Sequence, residues 1–86
     1  MPTLVERTIN TQKEELKKVH NERFTQGDVE FRLIYEGGLS ESIAILARRA
    51  GDRNFKYFDG FNAYKFFNAK QVISYAKALT AQRLDL

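Results

Sequence analysis

The chain has 86 residues, of which 43% are hydrophobic and 29% charged, and its formal net charge at pH 7 is +3. A chain of this length and composition buries one small core, which excludes a second domain and the low-hydrophobicity signature of disorder. It has no cysteine, so disulfide frameworks and thiolate metal sites are also excluded. We expect a single domain over residues 1–86.

We expect neither secretion nor membrane insertion from this sequence. Its N-terminus lacks the charged and then apolar order of a signal peptide. The longest apolar run, residues 43–47, is far too short to cross a bilayer. The lack of cysteine fits a reducing compartment, and we expect a cytoplasmic protein with no membrane partner.

The first predicted element is a long N-terminal helix over residues 4–26. It would begin at a capping box formed by Thr3 and Glu6 and end at Gly27. Its apolar stripe is narrow and includes Gln12, as in a seam between two helices, so it predicts a homodimer and allows a purely structural dimerisation module. The residues of this stripe are Val5, Ile9, Gln12, Leu16 and Val19.

An antiparallel sheet is predicted to follow the helix. Apolar and polar side chains alternate over residues 28–36, which is the period of a strand with one buried face. Gly37 and Gly38 then break the strand. Residues 42–50 fit either a helix capped by Ser40 or a strand that returns from the glycine turn. The strand is favoured because the preceding strand needs a neighbour.

The next predicted element is a β-hairpin. Asp59 and Gly60 form a strong two-residue turn signal between the aromatic segments 55–58 and 61–67. Both faces of such a hairpin receive aromatic side chains. One buried face cannot hold them all, so some should be exposed or covered by the long helix or by a second subunit.

A C-terminal helix completes the predicted fold. Asn68, with Gln71 three positions later, is a typical N-cap, and the apolar face formed by Val72, Ile73, Ala76 and Leu79 predicts a helix over residues 69–82. The predicted fold class is α+β, with a long N-terminal helix, a three- to four-stranded antiparallel sheet and a C-terminal helix. One face of the sheet should be covered by the helices and the other should be free.

The sequence contains no recognisable catalytic set. His20 is the only histidine, and a packing role is the common one for a histidine within a helix. The aspartates at predicted turns, Asp28, Asp52 and Asp59, are suited to capping nearby backbone amides. No serine lies in a nucleophile elbow, and no glycine spacing matches a phosphate-binding loop. We expect a protein that is not an enzyme and has no cofactor or metal.

Aromatic and basic side chains are concentrated in the second half of the chain. Seven of the eleven aromatic residues lie within residues 55–67. Residues 1–46 carry six Lys/Arg and eight Asp/Glu, whereas residues 47–86 carry eight and three. Rings that stack on bases and cations that neutralise phosphates are the usual components of a nucleic-acid surface.

The sequence therefore predicts a small protein that binds DNA or RNA through a basic and aromatic part of its sheet. The predicted site residues are Arg48, Arg49, Arg53, Lys56, Tyr57, Tyr64, Lys65 and Lys70. Tyr57 and Tyr64 are the expected stacking platforms. The alternative is a small accessory or inhibitor protein, of the kind that phages and plasmids encode, whose aromatic side chains fill a pocket of a protein partner. Only binding to phosphates should weaken steeply with salt.

Overall fold

The computed structural model describes residues 12–37 and 41–84. The elements in chain order are helix α1, which is described from residue 12 and ends at residue 17, strands β1 (Arg23–Gln26), β2 (Val29–Gly37), β3 (Ser42–Arg49) and β4 (Lys56–Asn62), and helix α2 (Ala69–Arg83). The strands form one antiparallel sheet in the order β1-β2-β3-β4. The predicted α+β class, the three- to four-stranded antiparallel sheet, which has four strands, and the C-terminal helix are confirmed.

The long helix predicted over residues 4–26 is wrong in its C-terminal part. α1 ends at Lys17, and β1 occupies the last four positions of the predicted helix. A strand is favoured over a helix here because β1 can then pair with β2. This pairing also stacks Phe24 on Phe31, with ring centroids 5.4 Å apart. Gly27, predicted to end the helix, has a φ of +60° and forms the β1–β2 turn instead. Residues 4–11 of the prediction lie outside the described residues.

The stripe predicted to form a dimer seam packs, where it is described, within its own chain. Leu16 and Val19 are fully buried in the core. Gln12 Nε2 donates to the backbone carbonyl oxygens of Tyr64 at 2.6 Å and Phe66 at 2.7 Å. The other two residues of the stripe lie outside the described part of the chain. A homodimer through this helix stays a prediction.

The ambiguous segment 42–50 is a strand, as favoured from the sequence. β3 pairs with β2 so that Ile45 lies opposite Leu33 and Ile43 lies opposite Tyr35. Ile43 and Ile45 are buried on the face of the sheet that meets the helices. The strand forms because its branched apolar side chains complete this buried face.

The predicted hairpin at Asp59 and Gly60 is wrong, because β4 continues through both residues. The pairing with β3 moves from Ile45–Asp59 to Leu46–Tyr57, which leaves Phe58 as the extra residue of a β-bulge. The bulge turns Phe58 toward the core, where its ring meets the edge of Phe31 with centroids 5.1 Å apart. The contact with Phe31, which is distant in sequence, therefore favours a continuous bulged strand over a hairpin at Asp59 and Gly60. The strand ends at Asn62, and residues 63–67 of the predicted second strand are not part of it.

Helix α2 covers one face of the sheet. Asn68 is its N-cap, and the Oδ1 atom accepts from the Gln71 backbone N–H at 2.9 Å, as predicted. Val72, Ala76 and Thr80 are buried beneath the helix. The main buried core residues are Leu16, Val19, Val29, Phe31, Leu33, Ile43, Ile45, Ala63, Val72 and Ala76. No helix within the described residues combines the length and hydropathy that a membrane span requires.

Candidate nucleic-acid interface

One face of the sheet points away from this core, and we call it the open face. Side chains alternate between the two sides of a strand, so the residues that separate the buried positions point to the open face. The register places Arg23 opposite Arg32, and Leu46 opposite Tyr57. The open face comprises Arg23, Thr25, Glu30, Arg32, Ile34, Ser42, Ala44, Leu46, Arg48, Tyr57, Gly60 and Asn62, of which Ala44 is buried. Glu36 lies beside Tyr57 and Gly60 at the end of β2.

Three arginines from three strands surround the ring of Phe55, which directly precedes β4. The guanidinium carbons of Arg48, Arg23 and Arg32 lie 4.5, 5.6 and 6.0 Å from the ring centroid. Each such cation–π contact contributes about 0.5–1 kcal/mol at an exposed site. Phe55 therefore holds together three cations that would otherwise repel one another. We call these four residues the arginine cluster.

The arginine cluster is only partly neutralised by its neighbours. Arg48 Nε donates to Glu30 Oε1 at 2.6 Å, which forms an ion pair. Arg32 Nε donates to Asn21 Oδ1 at 2.9 Å, and that amide is uncharged. Within residues 12–37 and 41–84, Arg23 and Arg32 have no carboxylate within ion-pair distance. Three guanidinium groups thus face one carboxylate, and the cluster has excess positive charge.

Tyr57 lies beside the arginine cluster and is the most exposed large apolar side chain of the described chain, at 70%. The bulge at Phe58 places both Tyr57 and Gly60 on the open face, three positions apart. A Cβ atom at position 60 would lie 2.9 Å from the Tyr57 hydroxyl oxygen, so the ring extends along β4 over the glycine. The tyrosine therefore rests on the strand and exposes its outer surface.

Five of the eight predicted site residues lie near this corner of the sheet, but only Arg48 and Tyr57 belong to the open face. Arg53 is in the β3–β4 loop, and its carbonyl oxygen accepts from Arg48 Nη1 at 3.4 Å. Arg49 has the opposite orientation, and its Nη1 atom lies 3.8 Å from an Asp28 carboxylate oxygen. Lys56, at the start of β4, is exposed and pairs with Ala47 of the helix-covered face.

The other three predicted residues, Tyr64, Lys65 and Lys70, lie beyond the opposite end of β4. Seven residues of strand separate the two ends, which is a distance of roughly 20 Å. Lys65 Nζ is 5.8 Å from the Phe66 ring centroid and 6.0 Å from that of Tyr75. The eight predicted residues therefore form two separate groups.

The residues that sequence reasoning missed are Arg23, Arg32 and Phe55. Arg23 had been assigned to the long helix, where it has no relation to the sheet. The alternation in the sequence predicts that Arg32 lies on the polar face of its strand. It does not predict which residues of the neighbouring strands lie next to Arg32. Phe55 lies in the aromatic segment, and its role depends on arginines far away in sequence.

The end of the sheet near α2 carries a second concentration of aromatic residues, which we call the aromatic group: Phe61, Phe66 and Tyr75. Their centroids are separated by 4.7 Å for Phe61–Tyr75, 5.2 Å for Phe66–Tyr75 and 6.2 Å for Phe61–Phe66. Tyr64 and Phe67 flank the group, and each is 65% exposed. Here the rings pack mainly on one another.

The same end of the sheet contains a buried acid. The Tyr35 hydroxyl donates to the Glu41 carboxylate, which is 7% exposed and has the Lys13 ammonium 3.6 Å away. Burial, and then this hydrogen bond to a carboxylate, raise the pKa of Tyr35 to about 12. The Tyr35 backbone N–H donates to His20 Nδ1 at 3.0 Å, so the single histidine has a structural contact.

Two shallow depressions border the arginine cluster. One, of about 310 Å³, is lined by Arg48, Lys56 and Tyr57 among others. The other, of about 440 Å³, lies between the β1–β2 turn and the β3–β4 loop and has both acidic and basic side chains. Within the described ranges, no three histidine or carboxylate side chains are grouped closely enough to hold a metal ion.

Comparison of the chain with protein-family models, with curated proteins and with solved structures gives no match. The interpretation of the open face therefore depends on its geometry and charge.

Proposed function

We propose that this protein binds nucleic acid on the open face of its sheet, in a binding role without catalysis. The observation that carries the proposal is the arginine cluster, in which three guanidinium groups from β1, β2 and β3 meet at one ring and, among the described residues, form an ion pair with one carboxylate. Charge complementarity selects a polyanion as the ligand of such a surface.

Arginine suits this role better than a general positive charge does. Its planar fork donates two parallel hydrogen bonds to phosphate oxygens, and a ring face beneath it limits its motion. Arg23, Arg32 and Arg48 all contact Phe55 before any ligand binds. Less conformational entropy is then lost when phosphates replace water around the cluster.

Fluorescence anisotropy with labelled DNA and RNA, single-stranded and duplex, tests the proposal. With three phosphate contacts, raising salt from about 50 to about 200 mM should weaken single-strand binding roughly 20-fold. Replacing Arg23, Arg32 and Arg48 with alanine should lower affinity at least about tenfold and remove most of the salt dependence.

The matched control removes the same number of charges away from the open face. Arg49, Lys65 and Lys70 are exposed, and their replacement with alanine should change affinity less than about threefold. Circular dichroism and thermal unfolding establish that both triple variants are folded. Equal losses in the two variants would contradict a localised site and indicate a diffuse effect of net charge.

A second candidate, an accessory or inhibitor function through binding to another protein, is favoured by the aromatic surface at the other end of the sheet. Tyr64 and Phe67 are each 65% exposed beside the aromatic group, and aromatic side chains are common anchors in protein interfaces. This candidate predicts no nucleic-acid binding at about 50 mM salt. It also predicts a partner whose binding is lost in Tyr64→Ser/Phe67→Ser and tolerates moderate salt.

A further inference from the structure

We infer that the open face binds unpaired nucleotides, with one base stacked on Tyr57 while the arginine cluster holds adjacent phosphates; the inference rests on the proposed function. Phosphate contacts alone would accept duplex and single strand alike. The two ligands differ in whether the faces of the bases are accessible. They are accessible in an unpaired strand and covered by neighbouring bases in a duplex.

Tyr57 has the exposure that base stacking requires. It is 70% exposed, whereas Phe58 and Phe61 of the same strand are packed against the core. A Cβ atom at position 60 would lie 2.9 Å from the Tyr57 hydroxyl oxygen and 3.8 Å from its Cζ atom, so the tip of the ring lies against the strand while most of the side chain is open to a ligand. An aromatic surface held in this way stacks on any base, because every base has a π-face.

The bulge and Gly60 together position the tyrosine. Phe58, the extra residue of the bulge, is anchored against Phe31, and this puts Tyr57 and Gly60 on one face. A Cβ atom at position 60 would lie 2.9 Å from the Tyr57 hydroxyl oxygen and 3.1 Å from the Ile43 carbonyl oxygen, which is backbone. The φ of Gly60 is not in the left-handed region. Glycine is therefore needed at this position to leave space for the Tyr57 side chain, and not to allow an unusual backbone conformation.

The spacing of the two contacts suits a single strand. Phe55, at the centre of the arginine cluster, and Tyr57 are two positions apart, which an extended chain covers in at most about 7 Å. Phosphates at the cluster and a base on the tyrosine then belong to the same nucleotide or to adjacent ones. Gly60 acts only through Tyr57 and is a positioning residue.

The test separates base stacking from phosphate binding with three labelled probes of about 15 nucleotides: oligothymidylate, an abasic strand and a duplex. At about 50 mM salt, the full chain should bind oligothymidylate at least about fivefold more tightly than the abasic strand, and the duplex no more tightly than the abasic strand. Tyr57→Phe keeps the ring and should keep this preference.

Variants at the two positions identify the stacking surface. Tyr57→Leu covers Gly60 without a π-face and should lose the preference for oligothymidylate while its affinity for the abasic strand stays within about twofold. Gly60→Ala displaces the tyrosine and should reduce the same preference. Urea unfolding of each variant confirms that the fold persists, and Tyr57→Gln provides a second test if Tyr57→Leu does not fold.

Two results would overturn the inference. One is equal affinity of the wild-type protein for oligothymidylate and for the abasic strand, and the other is a preference that survives in Tyr57→Leu. With either result, the proposed function still holds if binding of the probes depends on salt and on the arginine cluster. A failure of the proposed function would give a different result, because none of the three probes, including the abasic strand, would then bind.

Discussion

The arginine cluster and the aromatic group are built from the same kinds of residue but combine them differently. At the arginine cluster, one half-buried ring contacts three cations. At the aromatic group, three rings pack on one another and Lys65 approaches two of them from outside. The first arrangement concentrates positive charge, whereas the second buries apolar surface.

A count of aromatic and basic residues therefore does not show how these residues are arranged in space. Lys65 and Lys70 belong to the same basic half of the chain as Arg48, but they follow the far end of β4, a strand roughly 20 Å long. What distinguishes Arg48 is that Arg23 and Arg32, from the acidic half, join it at Phe55. The two regions should therefore respond differently to mutation.

The largest expected effect on stability is at the aromatic group. Phe66→Ala removes ring contacts with Phe61 and Tyr75 and should lower the free energy of unfolding by about 2–3 kcal/mol, less than for a fully buried phenylalanine. Urea unfolding monitored by circular dichroism measures this loss. Nucleic-acid affinity of the folded variant should be unchanged, and a tenfold loss would show that the two regions are not separate.

Phe55→Ala should have a smaller effect on stability and a clear effect on binding. It removes three cation–π contacts, and the arginines can then move apart, which relieves part of their repulsion, so we expect a loss of about 1–2 kcal/mol in unfolding free energy. Because the guanidinium groups are no longer held together, anisotropy should show several-fold weaker binding. Phe55→Tyr keeps the ring face and is the control; if both variants bind like wild type, the ring does not organise the cluster.

Alkaline pH should weaken the end of the sheet that carries the aromatic group. The pKa of Tyr35 is about 12 in the folded protein and 10.0 for an unperturbed tyrosine. Between these pH values the unfolded chain has lost a proton that the folded chain keeps, so rising pH lowers the free energy of unfolding. Urea unfolding from pH 9 to about pH 11.5 measures the effect.

Tyr35→Phe is the control for this titration. It has no ionisable hydroxyl, so its stability should fall less over the same pH interval than that of the wild-type protein. Parallel curves for the two proteins would mean that Tyr35 does not contribute.

The smallest expected effect is at Arg49, which lies next to Arg48 in sequence but outside the open face. Its guanidinium is 3.8 Å from Asp28, and the two side chains are 70% and 72% exposed. Arg49→Ala should change the free energy of unfolding by less than about 0.5 kcal/mol. Arg48→Ala, by contrast, loses the ion pair to Glu30 and the contact with Phe55. Equal effects of the two variants would contradict the assignment of the faces.

Local patterns were sufficient for several elements. The alternation in β2 and the N-cap at Asn68 depend on neighbouring residues, and both were predicted from the sequence. β1 was missed because Gly27 fits either a helix stop or a hairpin turn, and the choice is made by the Phe24–Phe31 contact. The bulge at Phe58 was missed because the extra residue is defined only by the partner strand.

The site was harder to predict than the fold, for a related reason. Arg23, Arg32 and Arg48 come from three strands, and only the register of the sheet brings them to the same ring. The sequence located Arg48 and Tyr57 through the aromatic and basic composition of their region. It held no local signal for the arginines that complete the cluster.

The most direct test of the central claim is a ¹H–¹⁵N NMR titration of the 86-residue chain with a single-stranded oligothymidylate. The side-chain Nε–H signals of Arg23, Arg32 and Arg48 report on the proposed contacts. We expect these signals and the backbone amides around Tyr57 to shift, while amides of the aromatic group stay in place. Shifts confined to residues 61–75, or no shifts at about 50 mM salt, would contradict a nucleic-acid site on the open face.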